Sequence, residues 1–149
     1  VTNAGVTSLC EGCPLLSFLR MASLTYVTDV GVARLGVGCP RLHHLDLTGF
    51  VMLSDGRQRA FALTGLQALV QGCSELKTLI LDGCFQIRKV SLRAIGGGLR
   101  LLQRLSMVNC PALTFEGLSA VAKGCPALAD LDLSRWVRAV SLARVSDLA

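Results

Sequence analysis

Apolar side chains in this chain recur in columns. Leu16, Leu42, Leu76, Leu102 and Leu128 each open a unit of the form L-x-x-L-x-(L/M). The second position of the unit is filled by Leu19, Leu45, Leu79, Leu105 and Leu131, and the third by Met21, Leu47, Leu81, Met107 and Leu133. Three residues further on lie Leu24, Phe50, Cys84, Cys110 and Trp136. Successive opening leucines are 26, 34, 26 and 26 residues apart. Self-similarity at such a period marks a solenoid, in which each repeat is one supersecondary unit that buries its apolar side only against its neighbours.

Within a unit, apolar and polar residues alternate, as in Leu45-Asp46-Leu47, which is the period of a short strand. Downstream come stretches such as Val32-Ala33-Arg34-Leu35 and Gly117-Leu118-Ser119-Ala120-Val121-Ala122, where apolar residues recur at helical spacing. One rung therefore reads as strand, loop, helix, loop. Gly12, Gly38, Gly72, Gly98 and Gly124 occupy one column at the helix ends, which predicts a left-handed residue closing each helix. Pro14, Pro40 and Pro126 follow, where proline stops the helix from continuing. Parallel strands stack about 4.8 Å apart while packed helices need about 8 to 10 Å, so the stack must bend. The expected fold is an α/β arc with parallel strands on its concave face and helices on its convex face.

The units running from Val27-Thr28-Asp29 to Gly38-Cys39-Pro40-Arg41-Leu42-His43-His44-Leu45-Asp46-Leu47, and from Gly124-Cys125-Pro126-Ala127-Leu128 to Leu133, spell L-x-x-L-x-L-x-x-(C/N) with its flanks. The chain thereby resembles the leucine-rich repeat proteins of the cysteine-containing subtype, as in F-box/leucine-rich-repeat proteins. The likeness extends over nearly the whole sequence. It implies a non-enzymatic protein-protein interaction module, the substrate-recognition part of an F-box type ubiquitin ligase. The alternative, motivated by ends that do not read as caps and that neighbours could shield, is a structural leucine-rich repeat subunit of a large assembly such as a ciliary axoneme complex. Protein partners follow in either case, a ubiquitin-ligase adaptor in the first and subunits of a large complex in the second.

Residues 1–149 are expected to form a single leucine-rich repeat domain, with about five repeats and partial units at either end. Neither end reads as a polar cap, so the sequence is expected to be a segment of a longer protein or to have its ends covered by partners. With 52% hydrophobic residues and a mean hydropathy of +0.55, a continuous core is available, yet charge interrupts every long apolar run. No membrane-spanning helix is expected. The seven cysteines are an odd number, and Cys13, Cys39, Cys73 and Cys125 share one column while Cys84 and Cys110 share another. That distribution reads as small buried fillers in a reducing compartment, cytoplasmic or nuclear, with a ciliary location under the alternative reading.

Candidate chemistry is sparse. Cys10-Glu11-Gly12-Cys13 has C-x-x-C spacing, but there is no second such pair to complete a four-thiolate zinc site, and Cys13 belongs to the helix-end column. No metal and no cofactor is expected. Gly96-Gly97-Gly98 lacks the following Lys-Ser or Lys-Thr of a phosphate loop and ends a helix, so it reads as a loose helix terminus. His43 and His44 are adjacent on a strand edge and should face opposite ways.

The outward columns carry the functional expectation. Strand parity places Phe18, Arg20, His44, Asp46, Thr48, Thr78, Ile80, Asp82, Arg104, Ser106, Val108, Asp130, Asp132 and Ser134 on the concave side as partner-binding residues. Their mixture of aromatic, aliphatic and oppositely charged side chains suits protein recognition. The net charge of +5 and pI of about 9.0 raise nucleic acid as a partner. Four aspartates in these columns, Asp46, Asp82, Asp130 and Asp132, against Arg20 and Arg104 would repel a phosphate backbone. The longer second interval places an insertion at 57–64, and its Arg57, Arg59 and Phe61 complete the expected partner-binding set.

Overall fold

The computed structural model describes residues 1–50 and 65–136. Within them the chain alternates helix and strand: α1 (Asn3–Gly12), β1 (Phe18–Arg20), α2 (Asp29–Gly38), β2 (His44–Asp46), α3 (Gly65–Gly72), β3 (Thr78–Ile80), α4 (Lys89–Gly98), β4 (Arg104–Ser106), α5 (Phe115–Gly124) and β5 (Asp130–Asp132). The strands form one parallel sheet in chain order, β1-β2-β3-β4-β5. Each rung is in register with the next, so Leu19, Leu45, Leu79, Leu105 and Leu131 lie in one row. The ladder runs past the strands: the Met21 N–H donates to the Asp46 carbonyl at 2.8 Å, and the Ser23 N–H to the Thr48 carbonyl at 2.7 Å.

The leucine columns form the core. Leu42, Leu45, Leu47, Leu76, Leu79, Leu81, Leu102 and Leu105 are all fully buried. In the outer rungs, Leu16, Leu19, Leu128 and Leu133 are only partly covered and Leu131 is 44% exposed, because these rungs have a described neighbour on one side alone. Fully burying one such side chain contributes roughly 1.5 to 3 kcal/mol before conformational entropy is set against it, so coverage by both neighbours holds the stack together.

The glycines at the helix ends have a different role from the one expected. Gly12, Gly38, Gly72, Gly98 and Gly124 are the last residues of their helices, and none has a positive φ. Close packing makes glycine necessary at most of this column. A methyl group on Gly72 would fall on the Gly36 carbonyl oxygen, and one on Gly124 on the Gly96 carbonyl oxygen. Backbone thus meets backbone between α2 and α3 and between α4 and α5. The expected loose terminus at residues 96–98 is also corrected. Gly96 abuts the Ala120 carbonyl and Gly98 the Val70 side chain, and only Gly97 faces open space.

The left-handed residue of each rung sits instead just after the strand. Ser23, Gly49, Gly83, Asn109 and Arg135 form one column, with φ of 59°, 74°, 68°, 56° and 62°. This turn carries the chain away from the sheet and precedes the Leu24, Phe50, Cys84, Cys110 and Trp136 column, whose central members are buried. At the other end of the loop, the Thr28 hydroxyl accepts from the Val30 N–H at 3.3 Å and the Thr114 hydroxyl from the Gly117 N–H at 3.2 Å, capping α2 and α5. Asn3 joins the first cap to its neighbour: its amide donates to the Thr28 hydroxyl and its carbonyl oxygen accepts from the Thr28 N–H, both at 3.0 Å.

Candidate functional site on the sheet face

Because side chains alternate along a strand, the residues flanking the buried leucine row project together on the side of the sheet away from the helices. Register makes Phe18, His44, Thr78, Arg104 and Asp130 one row and Arg20, Asp46, Ile80, Ser106 and Asp132 the next. Neighbours in a row are one strand spacing apart, about 4.8 Å, close enough for each side chain to meet the next.

Those rows are internally matched. The Phe18 and His44 rings stack with centroids 4.1 Å apart. The Arg20 guanidinium donates to Asp46 at 3.3 Å, and Arg104 pairs with Asp130 at 3.0 Å. Asp46 also accepts from the Thr48 hydroxyl at 2.6 Å and the Thr48 N–H at 2.9 Å, and Asp132 makes the equivalent pair of bonds with Ser134. Asp82 reaches across one rung to the Ser106 hydroxyl at 2.6 Å and the Val108 N–H at 2.8 Å.

This arrangement sorts the fourteen expected partner-binding positions that lie among the described residues. Asp46 and Ser106 are buried, at 5% and 4% exposure, so their polar atoms serve the face from within. Phe18, at 56%, is exposed, as are Arg20, Arg104, Asp130 and Ser134. His44, Thr48, Thr78, Ile80, Asp82, Val108 and Asp132 are partly covered. Arg57, Arg59 and Phe61 lie outside the described residues.

The electrostatics follow from these bonds. Burial alone would raise the Asp46 carboxyl, but the hydrogen bonds from Thr48 and Arg20 outweigh it and hold the group below the usual carboxylate range. The Ser134 hydroxyl and amide do the same for Asp132. For His44, burial and the charges of Arg20 and Arg104 lower the pKa against the opposing pull of Asp46, so the imidazole is neutral near pH 7. Both arginines of the face are held by carboxylates, which leaves little free positive charge for a phosphate backbone to meet.

The thiols show a pattern that composition did not reveal. Cys84 donates to the Leu47 carbonyl at 3.3 Å, Cys110 to the Leu81 carbonyl at 3.1 Å and Cys73 to the Cys39 carbonyl at 3.3 Å, each reaching back one rung. Burial pushes Cys73 and Cys84 up to about 12, which keeps them protonated as donors. Cys13 departs from the filler reading, because it is exposed. Two exposed aromatics in the loops after β1 and β3, Tyr26 at 76% and Phe85 at 46%, were not singled out from the sequence. Their only signal there was a large ring shortly after the left-handed position. Among the described residues no group of three or more His, Cys, Asp or Glu side chains could hold a metal ion, and no helix is long and apolar enough to cross a membrane.

Two solved structures share this architecture. The chain superposes on a chain from the crystal structure of the Rad7 and Elc1 complex in yeast with a TM-score of 0.68 at 21% identity, covering 91% of this chain and 36% of that one. The tropomodulin C-terminal domain of Caenorhabditis elegans gives a TM-score of 0.66 at 15% identity, covering 99% of this chain and 91% of that one. At these identities the likeness is one of fold. In sequence, 72 residues, 47% of the chain, are 35% identical to F-box/LRR-repeat protein 4 of Bos taurus, of whose length the match covers 12%. The fold is a leucine-rich repeat solenoid. No family model matches the chain.

Proposed function

We propose that this chain is a protein-interaction module of the cysteine-containing leucine-rich repeat subtype, and that it supplies substrate recognition to an F-box type ubiquitin ligase. The observation that carries the reading is the sheet face itself. Its polar groups are bonded within the face, while Phe18 stands 56% exposed on β1, in the row that runs through His44 and Thr78 to the exposed Arg104 on β4. Exposed aromatic and arginine side chains on a rigid, preordered surface are the usual anchors of protein recognition. Among the described residues the carboxylates of the face are engaged by neighbouring hydroxyls, amides and arginines that hold the surface in one arrangement, which favours binding over catalysis. The ligase role rests on the likeness to F-box/LRR-repeat protein 4, and the subtype on the thiol ladder of Cys73, Cys84 and Cys110.

The test is affinity purification from cells with the chain in its full-length setting, comparing wild type with Phe18→Ala and Arg104→Glu. Both variants should keep their circular dichroism spectra and lose the same partner, and a ubiquitin-ligase adaptor should be retained in every case. Partners unaffected by either variant would remove the sheet face from the reading, and absence of the adaptor would remove the ligase.

A second reading, a structural subunit of a large assembly such as a ciliary axoneme complex, is favoured by exposed valines on the helices, Val30 at 59% and Val37 at 78%. Under it, Val37→Asp should release the protein from a fast-sedimenting complex while Phe18→Ala leaves it there.

A further inference from the structure

The C-x-x-C spacing draws attention to Cys10 and Cys13, but folding gives Cys10 a different neighbour. The Cys10 and Cys39 sulfurs lie 3.7 Å apart, although 29 residues separate them in sequence. Cys10 sits within α1 and Cys39 caps α2. The contact exists because Gly38 has no side chain: a methyl there would fall on the Cys10 Cβ, and its absence lets α1 press directly against the end of α2. Nearby cysteines are turned to other partners. Cys73 donates to the Leu35 and Cys39 carbonyls, and Cys13 meets Cys39 through its backbone carbonyl, 3.9 Å from the Cys39 sulfur.

We propose that Cys10 and Cys39 are an oxidation site, a dithiol that hydrogen peroxide converts to a reversible disulfide joining the first two rungs. The sulfurs already touch, at 3.7 Å, and a disulfide would draw them to about 2.05 Å. The Cys39 thiol, pushed up to about 12 by burial and by its hydrogen bond to Cys10, stays protonated. Cys10, at 7% exposure against 0% for Cys39, is the sulfur that peroxide meets first. Having released its proton, the Cys10 sulfur attacks one peroxide oxygen, the O–O bond breaks, and the products are the Cys10 sulfenic acid and hydroxide, which takes up that proton as the first water. The Cys39 sulfur then attacks the sulfenic sulfur and expels the oxygen as water, with the Cys39 proton completing it. Overall two thiols and one peroxide give one disulfide and two waters, and a dithiol reductant restores the pair. Because α1 and α2 lead into β1 and β2, the bond would tie together the two rungs that carry the Phe18 and His44 stack.

The experiment treats the chain with hydrogen peroxide, blocks remaining thiols under denaturing conditions, digests with trypsin and reads the peptides by mass spectrometry without reduction. Segment 1–20, which holds Cys10 and Cys13, should appear linked to segment 35–41, which holds Cys39. The link should vanish with dithiothreitol. It should persist in Cys13→Ser, where Cys10 is the one cysteine left in its segment, and the oxidised protein should melt at a higher temperature than the reduced one. No link in Cys13→Ser, or linkage of Cys39 to Cys73 in its place, overturns the proposal. Cys13→Ser alters an exposed side chain, so folding does not confuse the result. The outcome is independent of the partner-binding reading.

Discussion

The Phe18 ring lies over the His44 imidazole, the two planes 9° from parallel and the centroids 4.1 Å apart. The pair are register partners on β1 and β2, so the stack is a direct product of parallel pairing. It couples an exposed aromatic to a titratable group, and its surroundings set the imidazole's charge.

Burial, with Arg20 and Arg104 adding to it and Asp46 opposing, lowers the His44 pKa below 6.5. The unfolded chain then binds more protons than the folded one between the two pKa values, so stability falls as pH drops below about 6.5 and levels off below the folded pKa. Urea denaturation on either side of that value should show this slope in wild type and lose it in His44→Gln. An NMR titration of the imidazole that places its pKa above 6.5 would contradict the assignment.

At the helix ends, Gly72→Ala and Gly124→Ala should each destabilise by about 1 to 3 kcal/mol or more, since the added methyl meets a backbone carbonyl that cannot move alone. Gly97→Ala, facing open space within α4, should stabilise by roughly 0.5 to 1 kcal/mol through helix propensity. Chemical denaturation of the three variants separates close packing from helix propensity.

Leu45→Ala and Leu105→Ala remove fully buried side chains and should cost about 2 to 5 kcal/mol each. The same change at Leu131, 44% exposed in the outermost described rung, should cost roughly 1 kcal/mol or less. Equal losses at all three positions would mean that β5 is covered as fully as β2 and β4.

Asp46→Ala leaves the Thr48 hydroxyl and amide and the Arg20 guanidinium without their acceptor, at a cost of about 1 to 3 kcal/mol. Because the Asp46 carboxyl is held below its ordinary value of 3.8, its contribution is present above that pH and is lost as pH falls through the folded pKa. Stability curves of wild type and Asp46→Ala should therefore approach one another in acid.

The strand row was legible from Leu19, Leu45, Leu79 and Leu105 because a buried column admits few residue types. Parity then placed Phe18 and Arg104 outward, as found. Parity says nothing about depth, however. It puts Asp46 and Ser106 at the surface, yet they are buried, because Thr48, Arg20 and Asp82 close over them from adjacent positions. Position at a helix end points to backbone conformation as the reason for the glycines, whereas at Gly38, Gly72, Gly98 and Gly124 the reason is contact with a neighbouring helix. A sequence records the absence of a side chain without recording what occupies the space.

Period, strand parity and the apolar columns are local and repetitive, so the order of leucines and polar residues alone determined a stacked α/β solenoid with one polar sheet surface. Which charges on that surface remain free, which thiols touch and which helices meet backbone to backbone depended on side chains 26 to 38 residues apart being brought within a few ångströms. Only the tertiary structure decided those, because a contact across rungs depends on the exact shapes of both neighbours, whereas a column depends on burial alone.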